Sequence, residues 1–365
     1  MSNPEDVPSP ALLIYVSRVE ENIRRMIQAA GGTTRLRPHV KTHKLPQIIE
    51  MHLRQGIDKF KAATIAESEM AAAAGARDVL LAHQPVGPGV ERFAELNRRF
   101  PKTKFHTIAD CAETLQALSK AAQHAHVILS VLIDLNVGMN RTGIEPGPAA
   151  ADLYRRLCNT PGLMAGGLHA YDGHLKSTDH EALSRDARSA FDRVLKLREE
   201  LRAAGLPVPL TASSGTPTFP ILAASDPEVE VGAGTTVLWD AGQEAASPDL
   251  KFEHAAVLLT RVISKPLPGR VCLDLGHKSV ASEMPQPRVR FLMDAEPVFA
   301  MHSEEHLALD FPLDAAAGLS VGSVVYAIPK HVCPTVALHN EVYAVREGRA
   351  AERWPVTARA RRITV

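Results

Sequence analysis

The sequence predicts an α/β fold, a (β/α)8 TIM-type barrel followed by a C-terminal all-β domain. Three observations carry this. Strand-like and helix-like segments alternate eight times between about residues 36 and 231, the pattern of parallel βα units. No Gly-x-Gly-x-x-Gly turn follows the first strand, as an open dinucleotide-binding sheet would require. After about Asp240 the chain changes to short apolar runs separated by turn residues, with no helix of any length, the texture of a β domain. The expected boundaries are 17–245 for the barrel and 1–16 with 246–365 for the β domain.

Each element has a local reason. Residues 1–10 hold three prolines and form an extended arm, and Ala11 to Val16 is a short apolar strand. Ser17 with Glu20 three residues later reads as a capping box. The helix it opens runs to Ala30, where Gly31-Gly32 stops it. Strand Leu36 to Lys41 then precedes helix Pro46 to Gln55, and Lys59 to Ala63 precedes Ile65 to Ala74. Val79 to Ala82 precedes Val90 to Arg99, ended by Pro101. Phe105 to Ile108, Val127 to Leu135 and Leu163 to Ala170 precede helices at Ala112 to His124, Pro148 to Cys158 and His180 to Ala204. Leu210 to Ala212 precedes a short segment at Pro217 to Ala224, and Val229 to Val231 opens the eighth unit. In the second domain the strand candidates are Ala256 to Ile263, Val271 to Leu275, Val321 to Ile328 and Glu341 to Val345.

Composition narrows the function class. The chain has 365 residues, with Lys+Arg and Asp+Glu both at 41, so its charge balance favours neither nucleic acid nor an anionic membrane. Its four cysteines form no CxxC pair, which suggests a reduced compartment. The opening MSNPEDVPSP lacks a basic n-region and an apolar h-region, and no run reaches the ~18 apolar residues of a membrane span. A cytoplasmic enzyme is expected, with no nucleic-acid or membrane partner.

Five clusters fall at or just after expected barrel strand ends, the end where barrel enzymes carry their chemistry. Residues 37–44, RPHVKTHK, place Lys41 at the end of the first strand. DLNVGMNRTG (134–143) ends the fifth and HAYDGH (169–174) the sixth. SSGT (213–216) and GAGTT (232–236) end the seventh and eighth. The last two are Gly/Ser/Thr turns whose backbone N–H groups can cradle an anion, and in barrels a phosphate commonly sits after these two strands. A phosphate site plus a rim lysine points to pyridoxal phosphate held as a Schiff base, or to a sugar-phosphate aldolase using the lysine directly. In the β domain, PKHVCPTVAL (329–338) spaces His331 and Cys333 two apart. On an extended segment both face one side. Imidazole and thiolate are a metal pair, or else a buried cysteine beside a satisfied histidine.

With these motifs in place, the chain resembles the D-threonine aldolase and eukaryotic-type D-serine dehydratase family, pyridoxal-phosphate enzymes with an alanine racemase-like barrel and a C-terminal β domain. The resemblance runs from Pro8-Ser9-Pro10-Ala11 to His331-Val-Cys333-Pro-Thr, with RPHVKTHK its most specific part. It implies that Lys41 is the Schiff-base lysine and that Arg141 contacts the cofactor ring oxygen. Tyr171 stands near the pyridine nitrogen, and Ser214, Gly215, Thr216, Gly234 and Thr235 cradle the phosphate. His331 and Cys333 hold a divalent metal, zinc or manganese. The substrate is a small D-3-hydroxy amino acid, and the assembly a homodimer. The expected reaction is retro-aldol cleavage to glycine and an aldehyde, with His174 the candidate base for the β-hydroxyl or else a rim histidine bonded to backbone. The alternative is dehydration of D-serine or D-3-hydroxyaspartate to a 2-oxo acid and ammonia. The family's aldolases tend to carry His-x-Asp at the metal and its dehydratases His-x-Cys, as here. A racemase and a non-catalytic cofactor-binding protein are the remaining readings.

Overall fold

A computed structural model describes residues 1–361 and 364–365 of the chain. It divides into two compact units. One comprises residues 24–41, 46–234 and 360–365; the other comprises residues 1–23, 42–45 and 235–359.

The first unit is built on a seven-stranded parallel sheet. In order across the sheet the strands are Lys59–Ala62, Asp78–Leu81, Lys104–Ala109, Leu129–Leu135, Leu163–Ala170, Thr211–Ser213 and Val229–Val231. Helices Ile65–Ala73, Pro88–Arg99, Ala112–Ala125, Pro148–Cys158, His180–Ala203 and Phe219–Ser225 connect them. Every residue of Leu129–Leu135 is buried. Its near-continuous apolar sequence is what a strand covered on both faces requires. Helix entry follows side-chain chemistry. At Ile65 the Thr64 hydroxyl accepts from Glu67 N at 3.1 Å and the Glu67 carboxylate accepts from Ala63 N at 2.6 Å, a reciprocal cap.

The expected first strand, Leu36 to Lys41, takes a different form. Leu36 bridges Val231 and His39 bridges Lys61, each as an isolated parallel pair, so the segment touches the last strand of the sheet and the first. Pro38 between them has no N–H to give a ladder. The chain then tightens into a 3-10 turn at Val40–Thr42. Lys41 therefore sits in that turn and not at a strand end. Arg37 points into the barrel core, where it is 1% exposed. It donates to Glu230 at 2.7 Å and to Asp78 at 2.6 Å. Burial opposes the Asp78 charge, but His106 and Arg37 hold its proton off well below the usual range. Removing one partner of such a buried network costs about 3–5 kcal/mol.

The second unit is a nine-stranded sheet. Its central strand Ala256–Ser264 runs antiparallel to Ala11–Tyr15, to Val324–Pro329 and to Arg270–Leu273. Ala11–Tyr15 pairs in parallel with Glu341–Arg346, which pairs with Arg349–Pro355. The helix after Ala11–Tyr15 begins at Val16, so Ser17 lies inside it and is not its cap.

The second unit also contains helices the sequence did not announce, among them Ala241–Ala246 and Val332–Leu338. Pro334 lies in the first turn of the latter, where a missing N–H costs nothing. His331 is its N-cap and Cys333 its second residue, so the pair does not lie on an extended segment as expected.

Candidate active site

In the barrel unit the residues singled out by sequence gather around Tyr171. Lys41 Nζ lies 5.8 Å from its ring centroid and Arg141 Cζ 5.2 Å. A third cation, Lys61 Nζ, lies 5.6 Å away. Lys41 is half-buried, and its backbone N–H donates to His39 Nδ1 at 3.3 Å. Arg141 is exposed in the turn after Leu129–Leu135. Cations over an aromatic face are held by the ring's quadrupole.

The two Gly/Ser/Thr turns are tied together. Ser214 is fully buried with φ +81°, and its hydroxyl accepts from Gly232 N at 3.0 Å. Thr216 Oγ1 accepts from Gly234 N at 3.4 Å. Gly215 N donates at 2.6 Å to Asp172, a buried carboxylate next to Tyr171. Burial pushes the Asp172 carboxyl up, against the pull of Thr218, Gly215 N–H and Lys61. Its Oδ2 has no hydrogen-bond partner among the described residues. Neither has Nε2 of His169, whose Nδ1 is held by Asp134 at 2.7 Å. Thr235, by contrast, belongs to the other unit, where it opens the turn Thr235–Val237.

His174 is exposed and packs on the turn that carries Arg141. A side chain on Gly138, whose φ is +123°, would place Cβ 2.8 Å from His174 Nε2. Only glycine suits that backbone and that approach.

In the β unit, His331 and Cys333 are fixed by one carboxylate. Asp240 caps Ala241–Ala246 by accepting from Gln243 N at 2.6 Å, and caps Val332–Leu338 by accepting from Val332 N at 2.9 Å. Gly242 N donates to Lys330 O at 2.9 Å, and a Cβ on Gly242 would stand 2.4 Å from that oxygen. Cys333 Sγ donates to Thr42 Oγ1 at 3.2 Å and lies 4.0 Å from Thr235 Oγ1. Thr42 is the residue after Lys41 in the chain. His331 Nδ1 meets Glu283 Oε1 at 2.5 Å. The Cys333 thiol bonded to the ring, with Glu283 and Asp240 behind it, outweighs burial and raises the His331 pKa to about 9. Among the described residues no cluster of three or more His, Cys, Asp or Glu side chains forms a ready-made cation site.

Sequence reasoning passed over Lys61, Asp172, His169 and Glu283. Asp172 and His169 lay inside HAYDGH, and Lys61 stood in the strand KFKA. Glu283 carried no signal.

Comparison with known proteins places this geometry. Residues 14–238 match the model of the alanine racemase N-terminal domain, and residues 255–345 that of a serine dehydratase domain. D-threonine aldolase of Arthrobacter sp. is 30% identical over 97% of this chain and 93% of its own length. The crystal structure of D-threonine aldolase from Filomicrobium marinum superposes with a TM-score of 0.87 at 29% identity, covering 97% of this chain and 96% of that one. D-threo-3-hydroxyaspartate dehydratase from Delftia sp. HT23 superposes with a TM-score of 0.83 at 26% identity, covering 96% and 98%. Solved variants of that dehydratase replace a histidine and a cysteine two positions apart by alanine, and the cysteine variant is described as metal-free. The chain belongs to the D-threonine aldolase and D-serine dehydratase family of alanine racemase-like enzymes.

Proposed function

We propose that this protein is a lyase that cleaves small D-3-hydroxy amino acids by a retro-aldol reaction, giving glycine and an aldehyde. The observation that carries the reading is the likeness to D-threonine aldolase along almost the full length of both chains.

The residues around Tyr171 fit pyridoxal phosphate. Three cations on one ring suit an anionic, aromatic group. The buried Asp172 Oδ2 and His169 Nε2 are polar atoms still owed a partner. When bound, the cofactor supplies an electron sink for the bond broken at the substrate's α-carbon. In this reading Lys41 holds it through its amine, Arg141 and Tyr171 line its ring, and Ser214, Gly215, Thr216 and Gly234 hold its phosphate. Asp134 fixes His169 by accepting from Nδ1, so His169 presents one defined nitrogen. Asp172 ties the 214–216 turn to Tyr171 through Gly215 N.

His331 and Cys333 fit a divalent cation, zinc or manganese, by donor chemistry: one imidazole, one thiolate, and a carboxylate behind the imidazole. Such a carboxylate on the far ring nitrogen orients a ligating histidine. Glu283 occupies Nδ1 and leaves Nε2 for the cation. A bound cation supplies Lewis acidity and lowers the pKa of a coordinated hydroxyl. His174 is the proposed base for the β-hydroxyl proton, held exposed against Gly138. On the family resemblance we also propose a cytoplasmic homodimer.

Dehydration is the second reading. It is favoured by the His-x-Cys pair, a spacing shared with the dehydratase variants. Product analysis with D-threonine and D-serine decides. Glycine and acetaldehyde from D-threonine are expected. 2-Oxobutanoate or pyruvate with ammonia would replace the aldolase reading by the dehydratase one, and L-threonine or no product would overturn both.

A further inference from the structure

The two side chains proposed for the cation are each held by a different partner. His331 has Glu283 on its Nδ1. Cys333 is held from far away in the chain: its Sγ donates to Thr42 Oγ1 at 3.2 Å, across 291 positions of sequence. Thr42 is fully buried and closes the 3-10 turn Val40–Thr42. It belongs to the same compact unit as Cys333. A second hydroxyl, Thr235 Oγ1, stands 4.0 Å from the same sulfur.

The other contacts of this segment fix its backbone and leave the sulfur free to turn. Asp240 accepts from Val332 N at 2.9 Å and so pins the start of the helix Val332–Leu338. With that backbone placed, the Cys333 side chain still has staggered χ1 wells to choose between. The bond to Thr42 selects one of them. A threonine hydroxyl is a rotor with one donor and two acceptor sites. It accepts from the thiol while the sulfur keeps its proton, and it can turn to donate once that proton has gone. The thiolate is the form that ligates a metal, so Thr42 serves the sulfur in both states. Valine in its place could do neither.

We propose that Thr42 is a positioning residue for the cation site: its hydroxyl holds the Cys333 sulfur in one rotamer and donates to it in the thiolate form. On cation binding the S–H bond breaks and the proton leaves to solvent. The hydroxyl keeps its own proton throughout and only reverses the direction of its hydrogen bond. Thr42 is then to Cys333 what Glu283 is to His331, the outer partner that orients a ligand. This role rests on His331 and Cys333 holding a divalent cation.

Zinc binding to the cofactor-loaded enzyme tests it, after its metal has been stripped with a chelator. Competition with a fluorescent chelator gives the affinity. X-ray absorption at the zinc edge shows whether a sulfur at about 2.3 Å is among the ligands. Thr42→Val keeps the shape of threonine and loses the hydroxyl. It should bind zinc about 10–100-fold more weakly, with a diminished sulfur signal. Thr42→Ser keeps the hydroxyl and should restore both, which a merely space-filling role would not require. Wild-type affinity and sulfur signal in folded Thr42→Val, or no rescue by Thr42→Ser, overturns the proposal. If Thr42→Val does not fold, a crystal structure of the zinc-loaded wild type decides. Thr42 Oγ1 within roughly 3.5 Å of Cys333 Sγ supports the proposal, and a hydroxyl turned away from the sulfur refutes it. Failure of the underlying reading looks different: the wild type would show no sulfur on zinc, and Cys333→Ala would bind zinc as tightly as the wild type.

Discussion

The barrel region around Tyr171 and the β-unit region around His331 use the same physics with opposite sign. Around Tyr171, three cations meet in a site where Lys61 is almost fully buried. Burial and the Lys41 charge push the Lys61 proton off. Around His331, the ring is half-exposed and meets a thiol and a carboxylate. Cys333, then Glu283 and Asp240, keep its proton on against burial. In the first region Arg37, Lys41, Lys61 and Arg141 outnumber the carboxylates Asp172 and Asp134; in the second, Glu283 and Asp240 flank a single imidazole. Position in the chain says nothing of this. Charge neighbours and solvent access do.

The largest effect should come from breaking the barrel region at Lys41. Lys41→Ala is expected to lose the absorbance near roughly 420 nm altogether, with no turnover. Persistence of that band at wild-type intensity would move the cofactor to another amine. Breaking the β region should leave that band alone. His331→Ala is expected to keep the cofactor and lose metal-stimulated turnover by more than about 10²-fold, since even an orienting partner of a ligand is worth 10–100-fold. The measurement is activity against added zinc or manganese after chelation, with the cofactor band as an internal control. Undiminished metal stimulation would remove His331 from the cation site and collapse the contrast between the two regions.

How much of this was legible in the sequence differs between the regions for physical reasons. The barrel announced itself because its buried strands are apolar runs that alternate with helix-like segments. RPHVKTHK marked Lys41 by resemblance and by its place after a strand-like run. The turn that holds Lys41 was not legible, because Pro38 and two isolated bridges replace the ladder the apolar pattern implies. Lys61 was hidden for another reason. Alternation in KFKA fixes which residues share a face, but not whether that face meets water or the barrel interior. In the β unit, the His331/Cys333 spacing read as an extended segment, whereas His331 caps a helix whose first turn holds Pro334. Glu283 is 48 positions from His331, and only the fold makes them neighbours.

The smallest predicted effect isolates burial from chemistry. His52, on the helix Pro46–Arg54, is 1% exposed and packs edge-on against Phe60 at 5.7 Å. Burial lowers its pKa to about 4, against a bond to Ile48 O. This is the force that acts on Lys61, without the neighbouring cations. The folded-state pKa lies below the unfolded value of about 6.5, so between the two the unfolded chain binds more protons. The stabilisation by neutral His52 is complete above pH 6.5 and is lost as the pH falls towards 4. From pH 7 to pH 5 that loss is about 2 kcal/mol. His52→Leu keeps an apolar group of similar size and cannot titrate, so its stability should fall less over that interval by this amount. Urea unfolding of both proteins at pH 7 and pH 5 measures the difference. Equal losses would mean that burial alone does not hold a proton off a side chain in this barrel, and the shift at Lys61 would then have to come from Lys41.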